Sequence, residues 1–220
     1  MIKRLIFDVD DTLITKVNFI PYIEATLKRL GIDSEETARL FVDAISSYEK
    51  EYNNYNKKDY TSHFEKALGI HLGDNFLSIL FDELKTCVPL EYGKLTTSIR
   101  KLSQKYELVL LTNYFKESQL NRLCTLGISN LFSECYGEEL IKPNDEVYLK
   151  ACGNHQPSEC VMIGDDPYLD IEKAQELGIY TIWVNSKGLN IDNLSTRVVN
   201  KVDEISVGLI ESITDSREIS

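Results

Sequence analysis

Three short apolar runs that each end abruptly in polar residues constrain this chain more than any other feature. Leu5-Ile6-Phe7 runs into Asp8-Val9-Asp10, Leu108-Val109-Leu110-Leu111 into Thr112-Asn113, and Cys160-Val161-Met162-Ile163 into Gly164-Asp165-Asp166. Apolar runs of this length, without polar alternation, suit strands buried on both faces of a parallel sheet. Tyr180–Val184 reads as a further strand, and short ones are expected near Ser133–Tyr136 and Val198–Val199. Helical periodicity fills the gaps at 95–105, 118–126, 145–152, 169–177 and 202–213, with Gly127 and Gly178 as stops. Strands alternating with helices predict an α/β fold, a doubly wound Rossmann-like parallel sheet. In such a sheet the carboxyl ends of the strands gather at one edge, where reactive crevices lie.

Residues 16–88 break this alternation and contain no convincing strand. Pro21 opens a helix that Gly31 ends. Asp33 or Ser34 caps a second, whose apolar stripe is Leu40, Phe41, Ala44, Ile45 and Tyr48. Residues 61–68 and 74–86 give two more. The Asn/Tyr/Lys-rich stretch 49–60 reads as a solvated connection, with Tyr48, Tyr52, Tyr55 and Tyr60 as rim or packing residues. The expected organisation is a core domain of residues 1–15 and 89–220, and a small all-helical domain of residues 16–88. The polar end, 212–220, is expected to fray.

The chain has 220 residues, 43% of them hydrophobic, enough for a real core. Its net charge of −11 argues against nucleic-acid and anionic-membrane partners, and means that an anionic substrate needs local cations. No apolar run reaches transmembrane length, and Asp8 and Asp10 interrupt any signal-peptide pattern. The five cysteines include no C-x-x-C pair and read as free thiols of a cytoplasmic protein, with Cys160 a core filler. The three histidines form no metal-binding cluster.

The strand ends supply carboxylates, a hydroxyl and an amide, a donor set suited to a hard cation such as Mg²⁺. Strand alternation points Asp8 and Asp10 the same way, and like charges held close need a cation or a shared proton. A carboxylate at Asp8 can attack phosphorus to form an aspartyl-phosphate. Asp10 is placed to give and take the proton. Thr112 and Asn113 either donate to phosphoryl oxygens or cap the next helix. Lys142, its backbone extended by Pro143, which starts the next helix, is the candidate fixed positive charge. Gly164 permits a tight turn, and Asp165 is the expected metal ligand. Asp166 and Asp170 support it, Asp170 by pairing with Lys142 or by favouring a helix N-terminus.

Asp8-x-Asp10-x-Thr12, Thr112, Lys142 and Gly164-Asp165-x-x-x-x-Asp170, in that order, resemble the four motifs of the haloacid dehalogenase-like (HAD) phosphohydrolases. The resemblance covers essentially the whole chain. It implies that Asp8 is nucleophile and metal ligand, and that Asp10 is acid/base and binds the metal through its backbone carbonyl. It further implies that Thr112 and Lys142 hold the phosphoryl group, and that Asp165 completes the Mg²⁺ site. The helical block after the first motif matches the subfamily whose small cap closes over the site. Dehalogenases of the family lack the second Asp, and β-phosphoglucomutases usually carry a His in the linker that is Thr15–Phe19 here. Phosphonatases use a cap lysine as a Schiff base, for which nothing here speaks.

The expected activity is therefore Mg²⁺-dependent hydrolysis of a small phosphorylated metabolite, a nucleotide or sugar phosphate. Thr112-Asn113-Tyr114 leans towards nucleotidase-type members. The alternatives are a non-catalytic phospho-ligand-binding or regulatory module, or a β-phosphoglucomutase-like phosphotransferase. Retention of Asp8, Asp10, Lys142 and Asp165 argues against the first, and the missing His against the second.

Overall fold

The computed structural model describes residues 1–32, 35–191 and 197–215. Its framework is six strands: β1 (Arg4–Phe7), β2 (Glu107–Leu111), β3 (Phe132–Tyr136), β4 (Cys160–Gly164), β5 (Tyr180–Val184) and β6 (Arg197–Val199). They pair in parallel in the order β3-β2-β1-β4-β5-β6. The first strand is central, with Phe7 level with Leu110 on one side and Ile163 on the other. The strand order reverses beside β1, which is where a doubly wound sheet opens its crevice.

Strand alternation sorts the core into two layers. Leu5, Phe7, Val9, Leu108, Leu110, Val161 and Ile163 pack on one face. The helices covering that face are α5 (Gly93–Ser103), α6 (Lys116–Thr125) and α9 (Val207–Asp215). On the other face Ile6, Val109, Leu111 and Met162 meet Val147, Tyr148 and Ala151 of α7 (Asp145–Cys152) and Ala174 of α8 (Lys173–Glu176). The segment expected as one helix from 169 begins instead as a π-helical stretch, Pro167–Glu172, and only then becomes α8. Its first turn is closed by Asp166, whose Oδ1 accepts from the backbone N–H of Tyr168 and Leu169. The helix after Lys142, α7, starts at Asp145 with Asn144 as its cap, so Pro143 precedes that helix and does not open it. The Lys142–Pro143 peptide is cis.

Among the described residues, four helices lie between β1 and α5: α1 (Ile20–Arg29), α2 (Glu35–Glu51), α3 (Lys57–Leu68) and α4 (Phe76–Leu84). They share a separate apolar cluster that includes Ile23, Leu27, Phe41, Phe64, Phe76 and Leu80. The expected caps Asp33 and Ser34 lie outside the described residues, as do residues 216–220 of the tail. Residues 212–215 belong to α9.

The stretch 49–60 differs from its expectation. Residues 49–51 finish α2 and residues 57–60 begin α3; Tyr55 and Tyr60 are buried packing residues, and Tyr48 is buried with the apolar stripe of α2. Hydroxyl groups let these rings sit inside because each finds a polar partner. Tyr48 donates to the Asn54 carbonyl (3.0 Å) and Tyr55 to Glu49 (2.5 Å). Two core residues, Phe115 and Ile141, complete the same cluster.

Candidate active site

Three neighbouring strands deliver the polar residues. Asp8 continues β1 for one more bond, its N–H donating to Ile163 O (2.9 Å). The chain then turns at Asp11, which has φ 57°, a left-handed conformation that Asp tolerates better than most residues. Asp8 lies on the Ile6 face and is 7% exposed. Lys142 Nζ donates to Asp8 Oδ1 (2.8 Å) and to Asp170 Oδ1 (2.6 Å), and all three side chains are buried. Asp170 can lie here because residue 164 is glycine. A Cβ at position 164 would fall 2.2 Å from the Asp170 carboxyl carbon, so this glycine makes room for a side chain rather than a turn.

Carboxylate oxygens of Asp8, Asp165 and Asp170 lie within 4.8 Å of one another. Burial first, then Asp170 and Asp165, push the Asp8 carboxyl well above the usual range against the pull of Lys142. Burial also pushes Asp165 up, to about 6, although Lys187 donates to it (3.1 Å). Burial alone would lower Lys142, but Asp170 and Asp8 outweigh it and hold the ammonium above its ordinary value. Lys187 also pairs with Asp11 (2.9 Å). Four carboxylates, of Asp8, Asp11, Asp165 and Asp170, thus face two ammonium groups, of Lys142 and Lys187. An all-oxygen donor set with an excess of negative charge fits a hard divalent cation.

Asp10 departs from its expectation. Its carboxylate is not in that cluster, because the strand has ended and its alternation no longer applies. Arg122 Nη1 donates to Asp10 Oδ1 (2.6 Å) and Gln119 Nε2 to Oδ2 (2.6 Å). Asp10 is therefore compensated by a buried guanidinium, not by sharing a cation with Asp8. Its side chain is still 41% exposed, open towards the helical insert.

Thr112 is buried, and its Oγ1 accepts from Gln119 Nε2 (3.0 Å), which leaves its own O–H to donate. Asn113 neither caps a helix nor has a free amide. Its Nδ2 donates to Lys142 O (3.0 Å) and its Oδ1 accepts from Lys142 N–H (2.8 Å), so it fixes the backbone of the lysine. The cap position of α6 is Phe115. Asp166 serves the turn described above and is apart from the carboxylate cluster, whereas Asp170 belongs to it. Sequence reasoning missed Gln119 and Arg122. Their only signal was two polar residues three apart on the face of α6 that also carries buried Leu123.

A cavity of about 260 Å³ lies between the insert and the core. Asp10, Asn113, Tyr114 and Arg122 line it from the core, and Ile23, Phe41, Glu49 and Tyr55 from the insert.

A doubly wound parallel sheet with carboxylates and a buried lysine at its β1/β4 crevice defines an α/β enzyme of the Rossmann-like type. Residues 2–178 match the family model of the haloacid dehalogenase-like hydrolases, and the chain belongs to that family. It is 27% identical to the glyceraldehyde 3-phosphate phosphatase of Methanothermobacter thermautotrophicus over 100% of both chains. It is 25% identical to the N-acylneuraminate-9-phosphatase of Homo sapiens over 86% of this chain and 84% of the other. Among solved structures, the HAD-hydrolase YfnB of Bacillus subtilis, bound to magnesium, superposes with a TM-score of 0.73 at 20% identity, covering 95% of this chain and 99% of the other. Among the described residues no helix is long and apolar enough to cross a membrane.

Proposed function

We propose that this hydrolase cleaves the phosphomonoester of a small hydroxylated metabolite, a sugar phosphate by class, through an aspartyl-phosphate on Asp8. The observation that carries the reading is the buried Asp8–Lys142–Asp170 array with the Asp165 carboxylate beside it. Lys142 steadies the transferring phosphoryl group beside the nucleophile, and Asp170 keeps the lysine there. The Thr112 hydroxyl donates to a phosphoryl oxygen. Asp8 attacks phosphorus, the bond to the ester oxygen breaks, and Asp10 gives that oxygen a proton. A water molecule then attacks the aspartyl-phosphate while Asp10 takes a proton from that water, which frees phosphate and restores both Asp8 and the protonated Asp10. Magnesium, held by Asp8, Asp165 and the backbone carbonyl of Asp10, would offset the phosphoryl charge and keep Asp8 ionised.

Residues 16–88 act as the cap in this reading. Backbone bonds from Tyr55 N–H to Glu138 O (2.6 Å) and from Ile141 N–H to Asn53 O (3.0 Å) join it to the segment that leads into Lys142. The leaving group occupies the cavity between them, facing Asp10. Both curated relatives carry names that describe phosphates of small carbonyl or sugar-acid compounds, which favours sugar phosphates over nucleotides.

The test is phosphate release from a panel of sugar phosphates, nucleotides and small phosphorylated acids, with Mg²⁺ and with chelator. Turnover is expected with Mg²⁺, is lost on chelation and in Asp8→Asn, and is best with sugar phosphates. A folded, Mg²⁺-binding protein that turns over no member of the panel would instead favour a phospho-ligand-binding module.

A further inference from the structure

Both oxygens of the Asp10 carboxylate are gripped by one helix. Arg122 Nη1 takes Oδ1 and Gln119 Nε2 takes Oδ2, each at 2.6 Å. The two donors are tied together, since Arg122 Nη1 also donates to Gln119 Oε1 (2.9 Å). Gln119 reaches on to Thr112 (3.0 Å). The carboxylate thus has one fixed orientation relative to Thr112 at the end of β2.

The same guanidinium touches both segments that join the helical insert to the core. Arg122 Nε donates to the Cys87 carbonyl (3.0 Å), three residues beyond α4. The Phe19 ring, just ahead of α1, lies over the guanidinium with its centroid 5.2 Å from Cζ. Arg122 is 2% exposed, and its remaining amino group, Nη2, has no hydrogen-bond partner among the described residues. Its place therefore rests on Asp10, Gln119, Cys87 and Phe19.

We propose that Arg122 is a positioning residue for the proton-transfer step, holding Asp10 in line through a frame built partly from the two linkers of the insert. The inference rests on the reading of Asp10 as acid/base. As the P–O bond breaks, the Asp10 O–H bond breaks with it and the proton joins the departing oxygen. The negative charge that appears on Asp10 is received by donors already aimed at both of its oxygens. In the second step the same donors present the carboxylate to the attacking water. Movement of either linker shifts the guanidinium, so the insert's position and the aim of the proton donor are one variable.

The test compares kcat/KM for an alkyl phosphate, whose leaving oxygen needs a proton, with that for p-nitrophenyl phosphate, whose leaving group departs as the anion. Asp10→Asn and Arg122→Met are both expected to lower the alkyl value about 100-fold, the range of general acid catalysis, and the aryl value only several-fold. Arg122→Lys keeps a charge beside Asp10 and is expected to fall between wild type and Arg122→Met. Equal losses on both esters in Arg122→Met, with the melting temperature retained, overturn the inference. If Asp10→Asn itself affects both esters equally, the assignment of Asp10 fails, and that result is separate from the arginine variants. Should Arg122→Met not fold, Phe19→Leu keeps the guanidinium and removes the ring above it. A smaller loss confined to the alkyl ester supports the coupling, and an unchanged ratio of the two esters overturns it.

Discussion

A methyl group at position 164 would overlap the carboxyl group of Asp170, its nearest contact 2.2 Å away. Gly164→Ala is therefore expected to push Asp170 off Lys142 and leave the ammonium with Asp8 alone. Overpacking of this kind costs about 1–3 kcal/mol, and the loss of a buried ionic partner adds to it. Chemical denaturation should report the stability loss, and phosphate release should fall with it. Gly137 is as constrained, since a Cβ there would come within 1.9 Å of the Thr112 carbonyl oxygen. Asn113 belongs to the same economy of contacts. Its amide pairs with both backbone groups of Lys142 and so controls the lysine from outside the charge cluster.

The helices of the insert are held by rings more than by periodicity alone. Tyr48 stacks on Tyr52, with ring centroids 4.6 Å apart, and meets Tyr60 edge-on at 5.0 Å. Phe41 and Phe64 lie 4.1 Å apart. Tyr114 and Phe115, from the turn after β2, enter the same group beside Tyr55 and Tyr60. Pairs of this kind contribute about 0.5–1.5 kcal/mol each beyond simple burial.

Their burial also gives a pH dependence. Burial pushes Tyr114 up to about 12, and Tyr55 and Tyr60 are raised further by burial and by their neighbours. The unfolded chain releases these protons near the ordinary value of 10, while the folded chain keeps them. The folded state then binds more protons, so stability falls as pH rises from 10 to 12. The slope is at most about 1.4 kcal/mol per pH unit for each such tyrosine. Denaturant midpoints measured across this range should fall, and Tyr114→Phe should flatten the decline.

The chain as a whole carries a charge of −11 and concentrates carboxylates at the carboxyl edge of its sheet. Such a cluster weighs against the folded state until a cation balances it. Added Mg²⁺ is therefore expected to raise the melting temperature in a concentration-dependent way. The gain is about 2.7 kcal/mol at a hundred times Kd. Calorimetry with and without chelator measures it, and an equal ionic strength of sodium chloride should not reproduce it. Asp165→Asn should weaken the response, because it removes the negative charge of one of the three clustered carboxylates.

The core was legible in the amino-acid sequence because strands buried on both faces must be apolar throughout. Leu5–Phe7, Leu108–Leu111 and Cys160–Ile163 could hardly be anything else, and a parallel sheet necessarily brings their carboxyl ends together. That placed Asp8, Thr112 and Asp165 at one edge before any coordinates. Whether Asp170 pairs with Lys142 or favours a helix N-terminus was open on spacing alone. It depends on the path of the π-helical stretch and on the space above Gly164. Arg122 and Gln119 carried no assignable role in the sequence, and Tyr55 and Tyr60 read as rim or packing residues of a polar connection. A polar side chain on a helix reads as exposed until something is known to lie across it. Here Asp10, the Cys87 carbonyl and the insert lie across it, from positions distant in the chain. Local pattern reports which side of an element is apolar, but the partner of a buried polar group is set by which elements the fold brings together.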